Sequence, residues 1–362
     1  MAEENEAVTD MTEVAQAAPD GGRMRSFKSV CVRLGLMMIV IFVSRGVSSV
    51  LLSLLTPTLS GLGSAEAYAV QSAFSLVFLY LIPMTAAVLL LKEPKKGTCP
   101  RIYSKPKYFG RALGMFPAFY GLAITTNLLT MLIGMLFSKI DLNKSFNTVN
   151  ELRADDMTSA LILLFQLVVI APLFEEFWFR GVVMESLRPY GNGFAIFVSA
   201  LLFGITHANF QQFFYATVIG ICLGYIAIST QSIITTTVMH AMFNSISGIL
   251  LLLMAVPSVG DFLIASQRGM TAEKTHAVIV YLVFLFFVIL LMTVGIIMAV
   301  FKLRKIKKYR VPEVWEEVPA RRRWRIFFSR ASVIVMLLLA ADTFTFRFIT
   351  NSVYNLIKNL IN

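Results

Sequence analysis

Two neighbouring carboxylates interrupt one of the most apolar stretches of the sequence. Glu175 and Glu176 lie in the segment APLFEEFWFRGVV, and Arg180 follows one helical turn after Glu176. Residues i and i+4 share a helix face, so Glu176 and Arg180 can form an ion pair. Glu175 is rotated by about 100° around the same helix, so its carboxylate can point into a different space. Pro172, just before the pair, predicts a bend that opens such a space.

The histidines are few, and two of the three lie in other apolar stretches. His207 follows Phe203 by one helical turn in LLFGITHANF, and His240 precedes Asn244 by one turn in TTTVMHAMFNS. The Asn244 amide can therefore orient an imidazole, a metal or a substrate carbonyl on the His240 face. His276 lies in a polar loop and is interpreted as solvated.

A carboxylate with two neutral imidazoles supports two kinds of hydrolytic chemistry. In the first, Glu175, His207 and His240 hold Zn²⁺ and leave one position open for water. In the second, Glu175 activates water directly as a general base while the histidines steady the tetrahedral oxyanion. Both end in hydrolysis of a carbonyl compound, and the residues alone leave the choice open.

The elements that must position these residues are membrane helices. The 362 residues are 57% hydrophobic and only 15% charged, which lies outside the range of soluble globular proteins. We predict an all-α polytopic bundle of about eight transmembrane helices, followed by a C-terminal apolar helix at 326–341 that either spans the membrane or lies in its interface. The eight predicted spans are 34–55, 68–91, 110–137, 158–179, 194–208, 212–229, 232–254 and 278–301.

The loop charges predict the orientation of the chain. Residues 92–111 hold seven Lys/Arg against one acid, and residues 302–330 hold eleven against three. The loops at 138–157 and 255–277 show no such excess. Cationic loops stay on the cytoplasmic side, so the N-terminus is expected in the cytoplasm. The net charge of +11 is thus assigned to attraction to an anionic leaflet and not to nucleic acid.

Three regions are expected along the chain. Residues 1–26 are acidic and polar and are predicted to be a disordered cytoplasmic tail. Residues 27–301 form the eight-span membrane domain, with the catalytic spans at 155–255. Residues 302–362 form a basic cytoplasmic segment and the C-terminal apolar helix.

Three motifs occur in order on predicted spans four, five and seven: Glu175-Glu176-x-x-x-Arg180, Phe203-x-x-x-His207 and His240-x-x-x-Asn244. This order resembles the CPBP family, the CAAX-processing and bacteriocin-processing intramembrane proteases, also called the Abi family. The resemblance covers about residues 110–255.

The resemblance implies a role for each motif residue and a substrate class. Glu175 would be the water-activating base, Glu176 with Arg180 its supporting pair, and His207, His240 and Asn244 would complete the site. The substrate would be a membrane-associated peptide or protein. A multi-pass protein of a bacterial plasma membrane is favoured, because nothing resembles an endoplasmic-reticulum retention signal.

Two other functions remain as alternatives. A proton-coupled transporter would spread its intramembrane charges along a path or mirror them in two halves, whereas here they concentrate in the second half, with Arg45 the clear exception. A bacteriocin-immunity protein or peptide-binding scaffold without turnover would not need both glutamates.

Overall fold

The protein is a bundle of helices. The computed structural model describes residues 20–91, 104–136, 157–208, 210–254, 256, 259, 272–304 and 318–345. Within these residues there are α-, π- and 3-10 helices and no strand. The predicted all-α class is therefore confirmed.

The helices are numbered in chain order. The first three are α1 (Asp20–Leu59), α2 (Ser64–Ser75, Leu76–Leu81 and Ile82–Leu90) and α3 (Phe116–Leu136, after the short helix Phe109–Leu113). The fourth, α4, comprises Met157–Phe165, Gln166–Ile170, Ala171–Glu176, Phe177–Met184, Glu185–Leu187 and a final 3-10 turn at Arg188–Tyr190. The others are α5 (Asn192–Thr206), α6 (Phe210–Thr230), α7 (Ile233–Met254), α8 (Ala272–Leu303), α9 (Ala320–Phe328) and α10 (Ala331–Thr345).

Seven helical segments in the described part of the chain are long and apolar enough to cross a membrane, and the bent pair α9–α10 would make eight. The predicted span at 194–208 corresponds to α5, which has the same number of residues, 15. Its length is about 22 Å, against a hydrocarbon core of about 30 Å. Most of its side chains are buried between its neighbours, so α5 is an inner element of the bundle.

The helices pack in three groups. On one side α10 and α2 pack against α1, and on the other α8 and α6 pack against α3. Between them lie α4, α5 and α7, with α7 against α4 and α5 against α6. The contact of α3 with α8 is close, because a Cβ atom on Gly121 or Gly295 would collide with the backbone of the opposite helix.

The first helix begins earlier than the predicted tail allows. Arg23 donates a hydrogen bond to the Pro189 carbonyl at 2.6 Å, and the Tyr190 hydroxyl donates to Ser26 at 2.7 Å. These contacts with the end of α4 hold residues 20–26 in α1, so assigning them to a disordered tail was wrong. Residues 1–19 lie outside the described part of the chain, as do 92–103, 137–156, 305–317, 346–362 and most of 255–271.

Candidate active site

The α4 helix carries both glutamates and is irregular on either side of them. A π-helical turn at Gln166–Ile170 precedes Ala171–Glu176, and a longer one at Phe177–Met184 follows. The bend predicted at Pro172 takes this form, because proline has no N–H to donate and the ladder shifts to i−5 bonds. The N–H of Ala171 accordingly bonds to the carbonyl of Gln166. Single π turns of this kind often occur at functional sites.

Glu176 is the centre of a buried polar cluster. Its Oε1 accepts hydrogen bonds from Nη1 of Arg180 at 2.6 Å and from Nδ1 of His240 at 2.8 Å. The side chains of Glu176 and Arg180 are fully buried. Arg180 also donates to the Gly220 carbonyl at 3.4 Å, and its guanidinium lies 4.7 Å from the Phe203 ring centroid. The cluster therefore joins α4 to α5, α6 and α7.

Glu175 lies beside this cluster with a different environment. Its side chain is 18% exposed, and its Oε2 lies 3.8 Å from Nε2 of His240. That separation is longer than a hydrogen bond, and one water placed beside the two groups can contact both. The two adjacent carboxylates therefore have different environments, as expected from their rotation around the helix. Glu176 is buried and paired with Arg180, whereas Glu175 is partly exposed.

The ring of Phe203 lies between His207 and the buried cluster and contacts both histidines. Nδ1 of His207 bonds to the Phe203 carbonyl at 2.9 Å. The Phe203 ring packs edge-to-face against both imidazoles, with centroid distances of 4.9 Å to His207 and 5.6 Å to His240. A carbonyl can only accept, so Nδ1 of His207 carries the proton, and the Glu176 carboxylate imposes the same tautomer on His240. In the neutral rings, Nε2 is then an acceptor.

Asn244 contacts the backbone of α4. Its Nδ2 donates to the Leu167 carbonyl at 2.7 Å. In a regular helix that carbonyl would accept from Ala171, whose N–H is instead bonded to Gln166, and the next donor along would be Pro172, which has no N–H. Asn244 thus supplies the hydrogen bond that the Leu167 carbonyl lacks because of the π turn. The amide therefore helps to position α4.

The residues considered for zinc are not assembled as a ligand set. Within the residues described, no group of three or more His, Cys, Asp and Glu side chains lies where it could hold a metal ion. The imidazoles of His207 and His240 do anchor Nδ1 and leave Nε2 available, as metal ligands do. The three side chains, including Glu175, do not fit zinc as they are placed, and no step below passes through a metal.

Three further residues border Glu175 and His207 but were not assigned to the site from the sequence. The hydroxyl of Tyr80, from α2, lies beside the Glu175 carboxylate, and Tyr215 of α6 is close enough to interact with it electrostatically. Arg45 of α1 donates a hydrogen bond to the carbonyl of Thr206 at the end of α5. Arg45 could have been assigned from the sequence, because a cation inside an apolar helix is unusual. The two tyrosines could not, because a tyrosine in an apolar stretch is common.

Comparison with known families supports the motif resemblance. Residues 157–246 match the family model described as "Type II CAAX prenyl endopeptidase Rce1-like". The matched region runs from the start of α4 into α7 and contains all six candidate residues. No curated protein and no solved structure matches the chain significantly. Residues 157–246 are therefore similar to the Rce1-like CAAX endopeptidase family, and this similarity is consistent with a CPBP-type intramembrane protease.

Proposed function

We propose that this protein is an intramembrane endopeptidase in which Glu175 activates water to hydrolyse a membrane-associated peptide or protein. The observation that carries the proposal is the contrast between two adjacent carboxylates. Glu176 is fully buried and bonded to Arg180 and His240, whereas Glu175 is 18% exposed and has no such ion pair at hydrogen-bond distance. A general base must be reachable by water, and the partial exposure of Glu175 supports that role.

The proposed reaction begins with a water molecule between Glu175 and His240. Glu175 accepts one proton of the water, Nε2 of His240 accepts a hydrogen bond from the other, and the water oxygen bonds to the peptide carbonyl carbon. The C–N bond then breaks as Glu175 returns the proton to the leaving nitrogen. The products are one new carboxyl group and one new amine.

The tautomers of His207 and His240 do not fit the expected role of these histidines in stabilising the oxyanion. A neutral imidazole whose proton is on Nδ1 has no Nε2–H to donate, so it cannot steady a negative oxygen. We therefore assign His240 to orienting the water. His207 would stabilise the oxyanion only as an imidazolium.

The substrate class and location are also proposals. The family description names a CAAX prenyl endopeptidase; we propose the broader class of membrane-associated peptides for this chain, in a bacterial plasma membrane with the N-terminus in the cytoplasm. The Rce1-like match supports the peptide substrate, and the charges of the loops support the orientation of the chain.

The proposal is tested with purified protein and a panel of membrane peptides that includes a prenylated CAAX peptide. Mass spectrometry should detect new termini with the wild type and not with Glu175→Gln, with or without a chelator. Stoichiometric metal together with loss of cleavage by chelator would favour a zinc site of Glu175, His207 and His240. Peptide binding without any cleavage would favour the scaffold alternative. Proton flux in liposomes that does not depend on the peptide would favour the transporter alternative.

A further inference from the structure

A basic pocket lies outside the Rce1-like region, where the beginning of α1 meets α9. Its volume is about 350 Å³, within the range of ligand-binding pockets. Met24 and Lys28 form one wall, and the rest of the lining is Arg322, Arg325, Ile326, Ser329 and Arg330. The lining therefore holds four cations and no acidic side chain.

The cations are available for a ligand. Lys28, Arg322 and Arg325 are exposed, and none of them has an ion-pair partner in the described ranges. The fourth, Arg330, is fixed by hydrogen bonds to the Ile326 carbonyl at 3.1 Å and to the Ser329 hydroxyl at 2.8 Å. Four positive groups around one space repel each other unless an anion lies between them.

The walls of the pocket are held by contacts that do not involve these cations. Buried Arg323 donates to the Tyr190 carbonyl at the end of α4 at 2.6 Å. The Ser332 hydroxyl donates to the Val32 carbonyl at 2.9 Å and joins α10 to α1. The pocket is thus preformed, and its walls also hold the end of the helix that carries Glu175.

The position of the pocket favours a lipid over a soluble anion. Helix α10 packs along α1, a candidate membrane span, and α9 is bent from α10 by 71°. Trp324 of α9 stacks on Phe328 and packs edge-to-face against Phe194. Tryptophans concentrate at the level of lipid headgroups, so α9 places its arginines at the depth of lipid phosphates.

We propose that this pocket binds the phosphate group of an anionic phospholipid. The arginine guanidinium groups can each donate two hydrogen bonds to phosphate oxygens. The apolar side chains of Met24 and Ile326 can contact the first carbons of the lipid acyl chains. Basic pockets between membrane helices on the cytoplasmic side recognise anionic headgroups in this way, and the loop charges predict that side for α9. The site is separate from the proposed active site.

The test uses the full-length protein, delipidated in detergent and titrated with phosphatidylglycerol or phosphatidylcholine while bound lipid is counted by native mass spectrometry. Phosphatidylglycerol should bind at least tenfold more tightly. Lys28→Gln and Arg325→Gln should each weaken it about fivefold, the effect of one cation at an anionic surface. Arg321→Gln, an exposed arginine of α9 outside the pocket, is the matched control and should change binding less than twofold.

Any of four results would overturn the proposal. Equal binding of the two lipids would show that the headgroup charge is not recognised. Unchanged binding in both pocket variants, or an equal loss in the Arg321→Gln control, would place the lipid elsewhere. Displacement of phosphatidylglycerol by an equal concentration of inorganic phosphate would identify a soluble-anion site. Each readout is independent of proteolysis, so failure here is distinguishable from failure of the proposed function.

Discussion

Replacing Arg180 with alanine is expected to destabilise the protein strongly. The guanidinium is fully buried, lies 2.6 Å from Glu176 and also contacts the Gly220 carbonyl and the Phe203 ring. Removing it leaves a buried carboxylate without its cation, and breaking such a pair costs about 3–5 kcal/mol. The hydrogen bond from His240 to Glu176 remains, so we expect a loss of about 3 kcal/mol, at the lower end.

A second ion pair on the same helix provides a matched control. Arg188 lies 2.6 Å from Glu185, the same distance, but these side chains are 17% and 21% exposed. Exposed pairs contribute about 0–1 kcal/mol. Arg188 also donates to Oδ1 of Asn192 at 3.3 Å, so Arg188→Ala should lower the free energy of unfolding by about 1 kcal/mol, clearly less than Arg180→Ala.

The assay is equilibrium unfolding in mixed detergent micelles, with folded yield as a second readout. The double variant Glu176→Gln/Arg180→Met removes both charges and should recover most of the stability lost in Arg180→Ala, since replacing a whole buried pair is often nearly neutral. Two outcomes would refute the reasoning. One is an Arg180→Ala loss no larger than that of Arg188→Ala, and the other is a double variant as unstable as Arg180→Ala.

Three other predictions concern positioning residues and orientation. Asn244→Ala should lower the free energy of unfolding by about 1–3 kcal/mol, because the Leu167 carbonyl would lose its donor. Tyr80→Phe should reduce the cleavage rate at unchanged melting temperature, because only the hydroxyl beside Glu175 is removed. Cys99, in the loop predicted to be cytoplasmic, should resist an impermeant thiol reagent added to intact cells and react after lysis.

Each of the three has a control on the same element or at the same position. Ser245→Ala removes a hydroxyl whose bond to Met242 stays within α7, so it should cost less than Asn244→Ala. Tyr68→Phe, also in α2, should leave the cleavage rate unchanged. Cys99→Ser should abolish labelling after lysis, because Cys31 and Cys222 are buried. Labelling of Cys99 in intact cells would reverse the predicted topology.

Local spacing predicted the parts of the site that lie on a single helix. The Glu176–Arg180 pair follows from four-residue separation, and the accessible position of Glu175 follows from its rotation around the same helix. Composition likewise predicted an all-α membrane bundle. These features depend on helix geometry and hydrophobicity, which a sequence carries directly.

Contacts between helices were harder to predict. Tyr80 reaches Glu175 from a helix almost a hundred residues earlier, and no periodic pattern relates the two positions. Asn244 was expected to act on an imidazole, a metal or the substrate. In the structure its amide donates instead to the Leu167 carbonyl, which the π turn in α4 leaves without a helical donor. The helix α5 was counted among the membrane spans because an apolar run that ends inside the bundle resembles one that crosses a membrane.

The most direct test of the central claim compares single-turnover cleavage of one membrane peptide by Glu175→Gln and by the wild type, at equal folded fraction. Glutamine keeps the size of the side chain but cannot accept the water proton. Loss of a positioned general base reduces the rate by about 10²–10⁴-fold, so we predict a decrease of that size with unchanged peptide binding and melting temperature. Cleavage by Glu175→Gln at the wild-type rate would contradict the assignment of Glu175 as the base.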